Sequence, residues 1–155
     1  MIQRIQTLFL LLAALCMAAL FAPTLAFVTV EGDTSTMKNA AQSMMADGLF
    51  NIYDHVLILA LVGLAAIVVF INIFFFRNRT LQLRINRVAM AAGILVILLA
   101  GIFFYQDYQM MDTGKYVITI DFGILAPVLF ILMLVLASRY IKKDDRLVRS
   151  MDRLR

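Results

Sequence analysis

The chain has 155 residues, of which 63% are hydrophobic and 15% charged, with a formal net charge of +4. A soluble domain is only about half apolar, so this composition excludes an ordinary water-soluble fold and calls for lipid as part of the solvent. The single cysteine, Cys16, forms no internal disulfide and leaves the redox compartment unconstrained.

Crossing a bilayer core takes about 20 apolar residues of helix, at about 1.5 Å per residue over about 30 Å. Four stretches satisfy this, approximately 7–27, 56–76, 88–105 and 122–138, and none contains an Asp, Glu, Lys, Arg or His. In lipid a lone segment satisfies its own backbone only as a helix, so the expected fold is an all-α integral membrane protein, a single bundle of four transmembrane helices.

The charges between the spans alternate in sign. Arg4 precedes the first span, and Glu31, Asp33, Asp47 and Asp54 against Lys38 fill the first loop. The second loop, 77–87, has Arg77, Arg79, Arg84 and Arg87 without an acid, and the third has Asp107, Asp112 and Asp121 against Lys115. The tail, 139–155, has seven basic residues against Asp144, Asp145 and Asp152. Short loops rich in Lys and Arg stay on the cytoplasmic side, so the N-terminus, second loop and tail are expected inside. That topology places both termini in the cytoplasm.

Within the first span Cys16 reads as a packed membrane cysteine, because Leu15 before it is too large for lipoprotein processing. A cleaved signal peptide ending near Thr24-Leu25-Ala26 is the lesser reading, since the apolar stretch exceeds the h-region of about 7 to 15 residues. Ala14, Ala18 and Ala22, and likewise Ala89 and Gly93, recur every four residues, a spacing that lets membrane helices approach closely; packing inside the bundle is preferred to a homo-oligomer seam. Pro127 is expected to kink the fourth span near its outer end.

Outside the spans, Phe27–Val30 and Tyr116–Ile120 alternate like strands and are expected to form a small outer β-cap. Residues 36–45 are read as a short surface helix. The tail places Leu147, Met151 and Leu154 at i, i+4 and i+7 among basic residues, which makes it a basic amphipathic cytoplasmic helix with Asp145 and Arg149 set for an i, i+4 pair.

No catalytic constellation emerges. Asn72, near the inner end of span two, is explained by an interhelical hydrogen bond. His55 beside Asp54 is read as a residue of the headgroup boundary, because neighbouring helical side chains diverge by about 100°. Met37, Met44, Met45, Met110 and Met111 lack a ligand spacing and read as adaptable hydrophobes rather than copper ligands. No mid-membrane ionisable group supports coupled transport. No catalytic, cofactor-binding or metal-ligating residue is therefore assigned.

The candidate docking residues are Arg77, Arg79, Arg84, Lys142, Lys143, Arg146, Leu147, Arg149, Met151, Arg153, Leu154 and Arg155. Their expected partners are anionic lipid headgroups on the cytoplasmic side and a membrane-protein partner, in preference to nucleic acid. The expected role is a non-enzymatic structural or accessory subunit of a membrane assembly, with a small transporter or channel for an apolar or amphipathic substrate as the alternative.

Three segments, the opening MIQRIQT, FRNRTLQLR from Phe76 to Arg84 and KKDDRLVRSMDRLR from Lys142 to Arg155, carry a resemblance over the full length. The chain resembles a domain-of-unknown-function family of small four-span inner-membrane proteins from Bacteroidetes. The resemblance implies the four-span topology and the inner-membrane location, and brings no activity or catalytic residue with it.

Overall fold

The computed structural model describes residues 3–31, 48–76, 78–110 and 117–152, with side chains described within 5–31, 48–76, 78–109 and 117–146. The expected surface helix at 36–45, Arg77, Met111 and the last three residues lie outside these ranges. Helix α1 (Gln3–Ala19) leads to strand β1 (Val28–Glu31) and the short strand β2 (Leu49–Phe50). Helix α2 (Val56–Asn72) closes in a 3-10 turn at Ile73–Phe75, and α3 (Arg79–Met110) returns antiparallel to it. Strand β3 (Val117–Ile120) and a 3-10 turn at Phe122–Ile124 then feed α4 (Leu125–Asp152).

The four helices run up and down, with α1 packed against both α2 and α4, and α3 closing the ring between α2 and α4. By length and composition, three stretches are long and apolar enough to cross a membrane: Val56–Phe75, Arg79–Gln109 and Phe122–Arg146. The apolar part of α1, Ile5–Ala19, is shorter. It tightens into i→i−3 bonds from Leu20 to Met17, Phe21 to Ala18 and Ala22 to Ala19, and Pro23, which has no N–H to donate, follows that turn.

Helix α2 shows how the bundle divides its surface. Ile58, Val62, Ala65, Val69 and Asn72 are buried at helical spacing, while Leu57, Leu64, Ile67 and Ile71 are exposed and as apolar as the core. An apolar surface on this scale suits lipid and would drive association in water. Small residues are used selectively. Ala14 and Ala89 are buried and Gly93 lies under Phe130, but Ala18 and Ala22 face outward, so only part of the alanine stripe in α1 serves interior packing.

Pro127 occupies the first turn of α4, where the backbone N–H has no intrahelical partner in any case, so it stands at the start of the helix rather than within it.

At the end opposite the termini the strands form a sheet of order β2-β1-β3, antiparallel throughout. Val28 pairs with both Phe50 and Ile120, and Glu31 with Val117. The β1–β3 pairing is the one expected from alternation, and β2 adds a third strand. The sheet is tied to α4 by Asp121, whose carboxylate accepts from Thr29 Oγ1 at 2.8 Å and from the Phe122 N–H at 3.0 Å. Gly123 N–H donates to Ala26 O at 3.0 Å, an approach close enough that a Cβ at 123 would run into the Ala26 carbonyl.

Candidate functional site

The basic segment read as an inter-span loop is mostly helix. Helix α3 begins at Arg79 and, with 32 residues, is about 48 Å long, well beyond the apolar core of about 30 Å. Helix α4 likewise continues without a break through the basic tail to Asp152. The two helices therefore run side by side past the apolar region at the termini end.

They are joined there by polar contacts. Arg79 Nη2 lies 2.9 Å from Asp144 Oδ2, and Arg79 Nη1 donates to Asp144 O at 3.2 Å. Asn86 Nδ2 donates to Leu134 O at 2.9 Å and Ser138 Oγ at 2.8 Å. Asn72 and Gln82 exchange side-chain-to-carbonyl bonds at 3.3 and 3.4 Å, which fixes the end of α2 to the start of α3. Gln6, Asn72, Gln82 and Asn86 are all fully buried, and each has an oxygen without a hydrogen-bond partner. Phe9 of α1 stacks on Tyr140 of α4 with centroids 5.3 Å apart.

Beside this polar layer, α3 and α4 enclose a groove of about 500 Å³. Arg87, Arg139 and Lys142 line it together with Ser138, Met90 and Val135. Arg84, Lys143 and Arg146 are exposed on the same end of the bundle but do not line the groove.

The opposite end has a different character. Phe50, almost fully buried, lies edge-on to Phe104 at 5.6 Å and 6.1 Å from Phe27, so the sheet is packed onto α3 through aromatic rings. An apolar pocket of about 380 Å³ opens beneath the sheet, lined by residues that include Phe27, Phe50, Gly101, Phe104, Ile120 and Pro127. His55, immediately before α2, places Nε2 at 3.0 Å from Asp107 Oδ2 and stacks on Phe103 with ring centroids 4.2 Å apart.

A family model described as a domain of unknown function (DUF4293) matches residues 2–154. The chain belongs to the DUF4293 family. Neither the curated proteins nor the solved structures contain a match to it.

For this DUF4293 chain the candidate docking residues fall into three groups. Arg79 is held by Asp144 and serves as a clamp between helices. Arg84, Lys142, Lys143 and Arg146 are exposed at the termini end, with Lys142 inside the groove. Leu147, Arg149 and Met151 lie on the helix with side chains outside the described set, and Arg77, Arg153, Leu154 and Arg155 lie outside the described residues altogether. The structure adds Arg87 and Arg139, 52 residues apart in sequence, which meet beside Lys142 only because α3 and α4 lie side by side. It also adds a partner for His55: Asp107 lies beside the ring, while Asp54, diverging from His55 as expected, accepts from the Asn51 N–H at 2.6 Å. The one sequence signal for that pair is the i, i+4 placement of Phe103 and Asp107 on one face of α3.

Proposed function

We propose that this is a four-span bacterial inner-membrane protein of the Bacteroidetes type, with both termini in the cytoplasm. In this reading α1, with the turn that carries it to Ala22, is the first span. The protein is a non-enzymatic accessory subunit of a membrane assembly, and its basic end is the docking surface. The observation that carries the reading is the pair of helices α3 and α4, which continue past their apolar stretches and are clamped by Arg79–Asp144. Arg84, Lys143 and Arg146 are thereby presented on a rigid stalk rather than on a loop. A preorganised surface loses less entropy on docking than a flexible tail does.

The test is co-purification from native membranes in mild detergent, comparing the full chain with an R84Q/K143Q/R146Q variant. A stoichiometric partner that disappears with the three charges supports docking; a full chain that purifies alone sinks it. The membrane topology is tested by labelling single cysteines introduced at Lys143 and Val117 in a C16S background. Protection of the first and labelling of the second by an impermeant reagent on intact cells is the expected pattern.

The apolar pocket under the sheet favours a second reading, a carrier for an apolar or amphipathic molecule. Gly101→Phe fills part of that pocket from a position with open space around its Cβ. Loss of a cellular phenotype in this variant, with the partner retained, would favour the carrier.

A further inference from the structure

The seam between α3 and α4 is closed at its middle, where a Cβ on Gly93 would sit 2.8 Å from the Phe130 ring and 3.1 Å from Ile131. Toward the termini it opens into the groove of about 500 Å³. The helices are antiparallel, so depth along the groove can be read from the numbering. Met90 and Val135 lie at the deep end, and Arg87, Arg139 and Lys142 nearer the helix ends, with Ser138 between and Leu83 at the outer end of the α3 wall. The deep end is thus apolar and the three cations are gathered toward the mouth, the order in which a phospholipid of that leaflet presents acyl chain and phosphate.

Charge balance makes the same point. No carboxylate lines the groove: of the two acids in the next turn, Asp144 is engaged by Arg79, and Asp145 has an interaction of its own and is not among the lining residues. Among the described residues, Arg87, Arg139 and Lys142 have no hydrogen-bond or ion-pair partner. Three cations converging on one concavity repel one another until an anion is placed between them. Two guanidinium forks suit phosphate oxygens and the ammonium adds a point charge, while Ser138 supplies a hydroxyl.

We propose that this groove binds one anionic phospholipid of the surrounding leaflet, with its phosphate between Arg87, Arg139 and Lys142 and its acyl chains over Met90 and Val135. The site rests on the four-span reading above; it takes Lys142 from the candidate docking residues and leaves Arg84, Lys143 and Arg146, the charges tested for docking, outside it. A lipid seated there would fasten α3 to α4 on the outside, as Arg79–Asp144 does within.

The test is native mass spectrometry of the full chain in mild detergent, titrated with phosphatidylglycerol or phosphatidylcholine. A phosphatidylglycerol adduct preferred at least about tenfold is expected, because a net negative headgroup gains about 1 kcal/mol per cation, whereas the choline of phosphatidylcholine offsets its phosphate. Each of R87Q, R139Q and K142Q should weaken it about fivefold, and the triple variant roughly a hundredfold. R84Q/K143Q/R146Q, which removes the same charge outside the groove, should bind within about twofold of the parent. Gel filtration checks that the variants fold; should the triple fail, the three single variants decide. Equal phosphatidylcholine binding, equal loss in the two triples, or displacement of the lipid by soluble glycerol phosphate would each overturn the site. A missing protein partner for the parent chain alongside an intact lipid preference would sink the docking reading alone.

Discussion

The two ends of this bundle are closed by opposite means. At the termini end the helices continue outward, held by side-chain amides and an ion pair, and leave a cationic groove between α3 and α4. At the other end the chain folds back as a three-stranded sheet, seated on aromatic rings, over an apolar pocket. Among the described residues each end also has a side-chain contact to a carboxylate, Arg79–Asp144 between α3 and α4 at one and His55–Asp107 between the start of α2 and α3 at the other. Packing in an apolar solvent gives one helix arrangement little advantage over another, so polar bonds and close backbone approach set the register. The termini end relies on the first device and the sheet end on the second, with Gly93 applying the second at mid-seam.

The sharpest way to break the contrast is at Gly123. In Gly123→Ala the new methyl group meets the Ala26 carbonyl, with its carbon 2.6 Å away, and a backbone carbonyl cannot rotate aside. A loss of about 3 kcal/mol is expected, at the upper end of overpacking effects. It should appear as a lowered unfolding midpoint in detergent and as protease cleavage near the sheet before the helices are cut.

Next in size is the clamp at the other end. Arg79→Met leaves Asp144 without its partner at a site where the two side chains are only 19% and 12% exposed. A fully buried pair broken on one side costs about 3–5 kcal/mol, and this partly exposed one should cost about 2. The double variant with Asp144→Leu should recover more than half of the loss, which a double-mutant cycle measures. An additive pair of losses would mean that the ends of α3 and α4 are held by something else.

Gly93→Ala tests the pinch between the ends. The Phe130 ring and Ile131 can shift by a few tenths of an ångström, so about 1.5 kcal/mol is expected, whereas Gly101→Ala, with nothing within 4 Å of its Cβ, should be neutral within about 0.5. Alanine's higher helix propensity favours both variants, so a Gly93→Ala variant no less stable than Gly101→Ala would show that the α3–α4 approach does not depend on the glycine.

The elements and contacts of the two ends differ in how legible they are in the sequence. The apolar stretches at 56–76 and 122–138 announce helices because lipid imposes length and composition together. The strands β1 and β3 announce themselves by alternation at Val28–Val30 and Val117–Ile120. Apolarity reports the membrane rather than the helix, however. The polar stretch Arg79–Arg87 therefore reads as a loop, although it forms the first turns of α3. Strand β2 is two residues long and too short to leave a pattern. The ion pair between residues 79 and 144, the groove of Arg87, Arg139 and Lys142, and the contact of His55 with Asp107 each unite residues 50 or more apart. No local period encodes such neighbours; only the antiparallel placement of the helices brings them together.

Asn86 gives the smallest and most discriminating test. In sequence it is one more polar residue among arginines, but in the structure it is fully buried and donates to both Leu134 O and Ser138 Oγ on α4. Interhelical hydrogen bonds of this kind contribute about 0.6 kcal/mol on average in a membrane protein, so Asn86→Leu should cost about 1 for the two together. Leucine is nearly as large and more apolar, so the variant should remain folded, with a small drop in unfolding midpoint as the readout. A neutral result would assign the register at the termini end to Arg79–Asp144 alone. A loss well above 2 kcal/mol would mean that the amide is part of a wider buried network, with the unpartnered oxygens of Asn72 and Gln82 drawn into it through ordered water.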